Sequence, residues 1–277
     1  MLRRLRQWFS PGPAAGTAPG TARRNAPGDE PGAETTSSLD SPLAQAKLEL
    51  GMQLRLQGIT DSRVLRAMLD LVPREDFVAA AMLDRAYENV TLPIGMGQTI
   101  SQPFVVALMT QLLEPGAGKR ILEIGTGCGY QAAILGHLFG QVQSIERHKD
   151  LAEAARQRLD RLGVTNVSVH LGDGFLGLSE QAPFDGIILT AAPREVPASL
   201  VNQLAEGGRL VMPLELENGE QYLMRFTNSK AGLFEERFTE VRFVPMLQGI
   251  PDKKGSQTTV IEHESLKIES PKVDSSL

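Results

Sequence analysis

Residues 120–130 read Arg120-Ile-Leu-Glu-Ile-Gly-Thr-Gly-Cys-Gly-Tyr130, a short apolar strand that breaks into three alternating glycines. A helical pattern follows at once, from Tyr130 to Leu138. Glycine has no Cβ, so a glycine-rich turn lets the backbone approach a ligand closely. The first turn of the helix behind it offers free N–H groups to that ligand. The order strand, glycine turn, helix therefore predicts a nucleotide-cofactor site.

The spacing of the glycines indicates which cofactor binds. Dinucleotide-binding folds use G-x-G-x-x-G, with the pyrophosphate on the helix N-terminus. Here the pattern is E-x-G-x-G-x-G, in which Glu123 precedes Gly125, Gly127 and Gly129, and Thr126 separates the first two glycines. A carboxylate beside the ligand would repel a pyrophosphate but suits a cation. Because S-adenosylmethionine carries a sulfonium and an ammonium group, we predict that these residues bind this methyl donor.

Acidic residues after the next two strands extend the predicted cofactor site. Glu146 follows strand 141–145, about 20 residues beyond the glycine turn, where a carboxylate binds a ribose diol. Asp173 follows strand 167–171 and can accept the adenine amino group, with Gly174 beside it. By themselves Glu146 could cap a strand end and the Asp173 triplet could form an ordinary turn. Their positions after the glycine turn favour cofactor contact.

Strands and helices alternate through the second half of the chain. The predicted strands are 121–124, 141–145, 167–171, 186–190 and 209–212, with helices at 130–138, 151–162 and 198–204. Such near-continuous apolar strands predict a parallel sheet with helices on both faces, a three-layer, doubly wound α/β fold. Glu123, Glu146 and Asp173 all fall at strand carboxyl ends, where these sheets bind ligands. Shorter strands near 222–226 and 238–244 predict an antiparallel edge.

Residues before the sheet are predicted to form helices, at 43–56, 62–71 and 103–113. The segment 92–103, Leu92-Pro-Ile-Gly-Met-Gly-Gln-Thr-Ile-Ser-Gln-Pro103, contains too much glycine and proline for regular structure. Ordered loops of this kind concentrate binding residues. We therefore expect one domain over 43–251, with 43–115 as its helical N-terminal part. The polar, Pro- and Ser-rich ends, 1–42 and 252–277, are predicted to be disordered.

The composition excludes several functional classes. The 277 residues carry a net charge of −5, so no basic field indicates a nucleic-acid partner. The single cysteine, Cys128, fits a reducing compartment, and the four histidines have no metal-ligand spacing with it. No apolar run reaches the ~18 residues of a membrane span, and no signal peptide is recognisable. We expect a cytoplasmic, monomeric enzyme without a metal or a membrane partner.

Five motifs occur in a characteristic order along the chain. They are Gly97-Gln-Thr-Ile-Ser-Gln-Pro103, Leu122-Glu-Ile-Gly-Thr-Gly-Cys-Gly-Tyr130, Gly172-Asp-Gly174, Thr190-Ala-Ala-Pro193 and Arg242-Phe-Val-Pro245. Together they resemble the protein-L-isoaspartate O-methyltransferase family, from about Leu43 to Gly249. The first motif is the most specific, because that loop belongs to the substrate site of this family.

The resemblance implies transfer of a methyl group from S-adenosylmethionine to the free α-carboxyl of L-isoaspartyl residues in damaged proteins. It implies the seven-stranded methyltransferase fold, with the cofactor at the carboxyl edge of the sheet. Ser101 matches the active-site serine of the family. The residues implied to bind substrate are Gln98, Thr99, Ile100, Ser101 and Val244, and segment 92–103 becomes the substrate loop.

Other interpretations stay open at this point. Ser101 precedes Gln102-Pro103 at a helix start, so its hydroxyl could cap that helix instead of binding substrate. The chain could be an S-adenosylmethionine enzyme acting on a different carboxylate or a small molecule, or a binding protein that only retains the cofactor pocket. A nicotinamide dehydrogenase is disfavoured by the glycine spacing.

Overall fold

The computed structural model describes residues 41–251 and the backbone of 265–266. The ends predicted to be disordered, 1–42 and 252–277, lie outside the described residues except for 41–42 and 265–266. Across the described part of the chain, no helix is both long enough and apolar enough to cross a bilayer.

The N-terminal part is helical, as predicted. Its elements are α1 (Pro42–Leu56), α2 (Ser62–Arg66), a π-helical turn (Ala67–Leu71), two 3₁₀ turns (Arg74–Phe77 and Ala80–Arg85) and α3 (Pro103–Leu112). The Ser41 hydroxyl caps α1 by accepting a hydrogen bond from Ala44 N at 3.1 Å. The Asp61 carboxylate caps α2 in the same way, at 2.9 Å from Arg63 N. Each cap accepts from an N–H that has no partner within its helix.

The prediction that segment 92–103 lacks regular structure is wrong for most of its length. It forms an antiparallel hairpin of β1 (Leu92–Gly95) and β2 (Gln98–Ile100). The residues that argued against a strand build its tip instead, since Gly95, Met96 and Gly97 have φ of 92°, 54° and 70°. Glycine adopts this left-handed region without strain, which allows the tight reversal.

The remaining elements alternate and build the main sheet. The strands are β3 (Gly116–Ile124), β4 (Phe139–Glu146), β5 (Val167–Leu171), β6 (Phe184–Leu189), β7 (Val196–Pro197), β8 (Leu204–Glu215), β9 (Gln221–Ser229), β10 (Gly232–Glu240) and β11 (Ser265–Leu266), and the helices are α4 (Tyr130–Leu138), α5 (Lys149–Arg161) and α6 (Ala198–Val201). Seven strands form one sheet in the order β10-β9-β8-β6-β3-β4-β5. Five neighbouring strands run parallel to one another, namely β8, β6, β3, β4 and β5. β9 pairs antiparallel with β8, and β10 pairs antiparallel with β9. The predicted fold class is thereby confirmed.

Two predicted boundaries differ at the C-terminal edge. The strand expected at 238–244 is the end of β10, and residues 241–250 leave the sheet. Two residues of this segment form hydrogen bonds with Ala192, which lies in the loop after β6. Val244 O accepts from Ala192 N at 2.9 Å, and Met246 N donates to Ala192 O at 2.8 Å. The segment therefore pairs with the loop after β6. The helix predicted at 198–204 is a single turn, because Leu204 already belongs to β8.

Residues that alternate along the strands pack into two separate hydrophobic clusters. In β3, Ile121 packs with the N-terminal helices, α3 and α4, whereas Leu122 and Ile124 pack in the cluster that includes Leu200 of α6. The chain runs from β3 to β4 and β5, and then returns to β6 on the other side of β3. This reversal opens a crevice at the carboxyl ends of β3, β4 and β6, where ligands bind in such sheets.

Candidate active site

A cavity of about 590 Å³ lies at this crevice. It is lined by the β1–β2 hairpin and the start of α3, the glycine turn, the residues after β4 and β6, and residues 240–247. All predicted substrate residues line it, namely Gln98, Thr99, Ile100, Ser101 and Val244. Of the predicted cofactor residues, Gly125, Thr126, Gly127, Glu146 and Gly174 line it. Segment 92–103 and the glycine turn therefore face one common space.

The glycine turn needs glycine for two separate reasons. Gly125, Gly127 and Gly129 have φ of 96°, 54° and 91°, in the left-handed region. A Cβ on Gly125 would also lie 2.3 Å from Thr190 Oγ1, a clash that no flexible chain end relieves. Gly129 does not line the cavity, and it starts α4 and packs against Ala155 of α5. Its predicted cofactor role is therefore confined to shaping the turn.

Glu146 is held rigidly beside the glycine turn. Its side chain is 5% exposed, with Oε2 accepting from Gly127 N at 2.7 Å and Oε1 accepting from His148 N at 2.9 Å. Each carboxylate oxygen keeps a further lone pair. The two oxygens can therefore accept a pair of neighbouring hydroxyls, as a ribose diol presents them.

Glu123 lies below the turn and does not line the cavity. Its side chain is 0% exposed, and its Oε2 accepts a hydrogen bond from the Ser144 hydroxyl, which also contacts Thr126 Oγ1. Burial raises the pKa of Glu123 to about 8, opposed by the Ser144 hydrogen bond and assisted by the charge of Glu146. At neutral pH the carboxyl is mostly uncharged. The structure therefore places Glu123 against Ser144, outside the cavity lining, and its contact with the cofactor stays a prediction.

The Asp173 carboxylate accepts hydrogen bonds from two main-chain amides. Its Oδ1 accepts from Phe175 N at 2.9 Å and its Oδ2 accepts from Gly249 N at 2.6 Å, and it does not line the cavity. The neighbouring Gly174 does line it, and a Cβ there would lie 2.3 Å from Ile124 Cγ2. In this structure Asp173 fastens segment 241–250 to the end of β5. Its contact with adenine stays a prediction.

The hydroxyl of Ser101 is available to a ligand. The N-cap of α3 is Gln102, and Phe104 N donates to Asn89 Oδ1 at 2.9 Å, so Ser101 does not cap this helix. Within residues 41–251, no group forms a hydrogen bond with the Ser101 hydroxyl. The capping alternative is thus not observed, and the hydroxyl is free to bind within the cavity.

Sequence reasoning missed several lining residues. Thr190 follows β6, and its Oγ1 donates to Gly125 O at 2.7 Å. Its place at a strand carboxyl end was the signal that could have identified it. Arg147 donates to Gly249 O at 3.0 Å and to Gln248 O at 3.2 Å, which closes segment 241–250 over the crevice. No pattern in the sequence predicts that Arg147 binds the main-chain oxygens of Gln248 and Gly249.

Cys128 also lines the cavity. Burial raises the pKa of its thiol, so at neutral pH the sulfur stays protonated and weakly nucleophilic. Over the described residues, no group of three or more His, Cys, Asp or Glu side chains could hold a metal ion. Besides hydroxyls, carboxylate oxygens and main-chain amides, the cavity lining contains the side chains of Arg147, His148 and Arg242.

Comparison with known proteins gives one consistent family. The family model described as protein-L-isoaspartate(D-aspartate) O-methyltransferase matches residues 45–250. The protein-L-isoaspartate O-methyltransferase of Parvibaculum lavamentivorans is 49% identical over 208 residues, which cover 74% of this chain and 93% of that protein. The enzyme of the same name from Yersinia pestis (strain Pestoides F) is 51% identical over 200 residues, 72% of this chain and 94% of its own.

Solved structures agree with this assignment. One protein-L-isoaspartate O-methyltransferase superposes with a TM-score of 0.65 at 32% identity, over 72% of this chain and 65% of that chain. A Plasmodium falciparum protein described under the same name, in complex with S-adenosyl-L-homocysteine, superposes with a TM-score of 0.62 at 28% identity, over 72% of this chain and 97% of that chain. The motifs, the sheet order and the cavity lining fit this result, and the chain belongs to the protein-L-isoaspartate(D-aspartate) O-methyltransferase family.

Proposed function

We infer that this chain is a protein-L-isoaspartate O-methyltransferase, which methylates the free α-carboxyl of L-isoaspartyl residues in damaged proteins. The observation that carries this inference is the shared cavity. The Ser101 hydroxyl, free of other hydrogen bonds among residues 41–251, lines the same space as Glu146 and the glycine turn. A carboxylate acceptor and a nucleoside donor can therefore be bound side by side.

The cavity residues fit S-adenosylmethionine. Gly125 and Gly127 leave the turn open where side chains would fill it, and the Glu146 oxygens can accept the ribose hydroxyls. Gly174 brings the main chain after β5 against the same space. When bound, this donor supplies a methyl group made electrophilic by its sulfonium. The structures of the relatives add that a member of the family fold holds S-adenosyl-L-homocysteine.

The acceptor needs positioning more than activation. An α-carboxyl has an ordinary pKa of about 3.3–3.7, so at neutral pH it is already a nucleophilic anion and requires no general base. We assign Ser101 the donation of one hydrogen bond to one carboxylate oxygen, which leaves the other oxygen unbonded and oriented. A neutral hydroxyl suits this task, because a cation at that place would bind the anion more tightly and reduce its reactivity. Holding two reactants in alignment can contribute ~7–11 kcal/mol to the lowering of a barrier.

Hairpin β1–β2 and residues 241–247 both line the cavity with apolar side chains. The hairpin contributes Ile94 and Ile100, and the segment contributes Phe243, Val244 and Met246. These apolar side chains remove water from around the acceptor carboxylate, which strengthens its hydrogen bond to Ser101. Val244 falls in the segment that we assign to the isoaspartyl main chain.

Paired peptides test this function. We expect labelled methyl to pass from S-adenosylmethionine to a peptide with one L-isoaspartyl linkage, and the label to be released by mild base, as a methyl ester requires. The same peptide with a normal aspartyl linkage is the matched control and should stay unlabelled. Equal labelling of both peptides, or base-stable label, would favour the alternative of an S-adenosylmethionine enzyme with a different acceptor.

We further propose that the enzyme acts as a cytoplasmic monomer on proteins and peptides, without nucleic acid. The net charge of −5 and the single buried cysteine support this proposal. Sedimentation at micromolar concentration should give the mass of one chain, 30.0 kDa. A mass of twice that value would show a dimer.

A further inference from the structure

A fully buried arginine, Arg74, contacts both the segment that carries Ser101 and the helix that follows the glycine turn. The Arg74 side chain is 0% exposed, and it lies in the 3₁₀ turn Arg74–Phe77, outside the cavity lining. Its Nη2 donates to Ser101 O at 2.8 Å and its Nε donates to Ala86 O at 2.8 Å. The guanidinium carbon lies 4.8 Å from the centre of the Tyr130 ring, at the start of α4. One side chain thus contacts both the serine of the substrate loop and the helix behind the glycine turn.

A second arginine connects the same 3₁₀ turn to the cofactor side. Arg158 of α5 donates through Nη1 to Cys128 O, inside the glycine turn, at 2.7 Å. Its Nε donates to Asp76 O at 2.7 Å, and its guanidinium carbon lies 5.5 Å from the centre of the Phe77 ring. The turn Arg74–Phe77 is therefore hydrogen-bonded directly to Ser101 O through Arg74, and it is linked to Cys128 O through the side chain of Arg158.

The turn Arg74–Phe77 is itself fixed to the helical part. Arg74 N donates to the Tyr87 hydroxyl at 3.1 Å, and that hydroxyl donates to the Glu75 carboxylate. Lys47 of α1 lies 3.7 Å from Glu75 and 5.0 Å from the centre of the Tyr87 ring. Phe77 is buried and packs edge-on against Tyr130, with ring centres 5.3 Å apart. These contacts leave the turn little freedom to follow movements of the cavity.

Stability alone does not account for a guanidinium at position 74. Its hydrogen bonds go to neutral main-chain oxygens, and its Nη1 has no partner within the described residues. A buried cation without a carboxylate partner costs free energy that an apolar side chain of similar size would not cost. Arginine can nevertheless do what no apolar side chain can, because its planar fork reaches two carbonyl oxygens at once.

We propose that Arg74 and Arg158 are positioning residues, which set the separation between the Ser101 hydroxyl and the glycine turn through the turn Arg74–Phe77. The proposal rests on the function proposed above, in which acceptor and donor are bound on these two segments. Each ligand keeps its own contacts when the connection is loosened, so binding is preserved while alignment is lost. A misplacement of about 1 Å can reduce the rate about a hundredfold.

The test compares lysine substitutions at three arginines. Arg74→Lys and Arg158→Lys keep the charge but lose the two-carbonyl geometry. Arg120→Lys is the matched control, since Arg120 donates to Pro183 O at 3.1 Å and Gln181 O at 2.6 Å, packs 5.6 Å from the centre of the Phe184 ring, and does not line the cavity. Methyl transfer to the isoaspartyl peptide, binding of S-adenosylmethionine by calorimetry and the Tm are measured for each.

We expect Arg74→Lys and Arg158→Lys each to lower kcat about tenfold to a hundredfold. The Kd for S-adenosylmethionine and the KM for the peptide should stay within about twofold of wild type, as should every parameter of Arg120→Lys after correction for Tm. Unchanged kcat, or a fall in binding as large as the fall in kcat, would overturn the proposal. Arg158→Lys keeps the test decisive should Arg74→Lys fail to fold, because Arg158 is only partly buried.

The double variant Arg74→Lys/Arg158→Lys adds an independent criterion. If both arginines set the same separation between the Ser101 hydroxyl and the glycine turn, their effects are not additive. The kcat of the double variant should then be only slightly lower than the kcat of the less active single variant. A reduction in kcat equal to the product of the two single-variant reductions would show that the arginines act separately, and it would overturn the proposal that they position the two segments together. The proposed function is judged on wild type alone: if wild type fails to label the isoaspartyl peptide, the function falls first and the bridge with it.

Discussion

Gly127 N donates a hydrogen bond to Glu146 Oε2 at 2.7 Å, so the glycine turn and the predicted ribose-binding carboxylate hold each other in place. The second oxygen of the same carboxylate accepts from His148 N at 2.9 Å. The carboxylate is therefore fixed both by the end of β4 and by the turn after β3, which brings two segments that are far apart in the chain to one side of the cavity.

Glu146→Gln should weaken S-adenosylmethionine binding about tenfold to a hundredfold, because hydrogen bonds to a charged group contribute about 1.5–3 kcal/mol. An amide also presents one acceptor oxygen where the carboxylate presents two. Calorimetric titration measures the effect. Glu153→Gln, at an exposed position of α5, is the control and should bind the donor as wild type does. Equal affinity of Glu146→Gln and wild type would remove Glu146 from the ribose site.

Gly125→Ala should destabilise the protein more than Gly58→Ala does. Both glycines have left-handed φ, of 96° and 93°, so both variants acquire similar backbone strain of about 1 kcal/mol. Only at Gly125 does the new Cβ meet another atom, Thr190 Oγ1 at 2.3 Å, whereas Gly58 faces open space. Denaturant unfolding compares the two, and a similar loss of stability in both variants would show that the close approach to Thr190 is unimportant.

Glu123 makes stability depend on pH. Its pKa is about 8 in the folded protein, mainly through burial, against an ordinary value of 4.5. Between these values the folded protein binds more protons at this site than the unfolded chain, so the contribution to the free energy of unfolding falls as pH rises. It is fully present below about pH 4.5 and is lost as pH passes about 8. Glu123→Gln, which mimics the uncharged carboxyl, should remove this dependence.

Unfolding of both proteins is measured from pH 5 to pH 8, with the difference between them as the observable. For one proton, wild type should lose up to about 1.4 kcal/mol per pH unit relative to Glu123→Gln. Parallel stability curves for the two proteins would show that Glu123 is ionised in the folded state over this whole range.

Asp173→Ala should loosen segment 241–250 before any cofactor is added. Asp173 Oδ2 accepts from Gly249 N at 2.6 Å, and removal of the carboxylate leaves that amide without its charged partner. Amide hydrogen exchange of residues 246–250 in the absence of cofactor should therefore accelerate. Asp150→Ala, at an exposed position of α5, serves as control. Unchanged exchange would show that the segment is held without Asp173.

The central sheet and the glycine turn were predictable because their signals are local. An apolar strand, glycines at fixed spacing and a following helix carry the same meaning wherever they occur. Hairpin β1–β2 was missed because glycine and proline at 93–97 can either end a strand or form its turn. Segment 241–250 was assigned to a strand because its partner, Ala192, lies in a distant loop.

Site residues were predictable where position at a strand end was enough to place them. Glu123 and Glu146 look alike in the sequence, yet one lies under the sheet edge and the other faces the cavity. Glu123 pairs with Ser144, so Glu146 lies two positions farther along the sheet on the same face. Those two positions place Glu146 at the carboxyl end of the sheet, whereas Glu123 stays buried inside it. Arg74 and Arg158 gave no signal, since any main-chain carbonyl can be the partner of an arginine.

Substitution of Ser101 tests whether its hydroxyl positions the acceptor carboxylate. Single-turnover methyl transfer to the isoaspartyl peptide is measured for wild type, Ser101→Ala and the exposed control Ser168→Ala of β5, together with the Kd for S-adenosylmethionine. We expect Ser101→Ala to transfer the methyl group about tenfold to a hundredfold more slowly, which corresponds to the loss of one hydrogen bond to a charged acceptor, while its Kd for S-adenosylmethionine stays that of wild type. A transfer rate equal to that of Ser168→Ala would contradict the assignment of the Ser101 hydroxyl to the acceptor carboxylate.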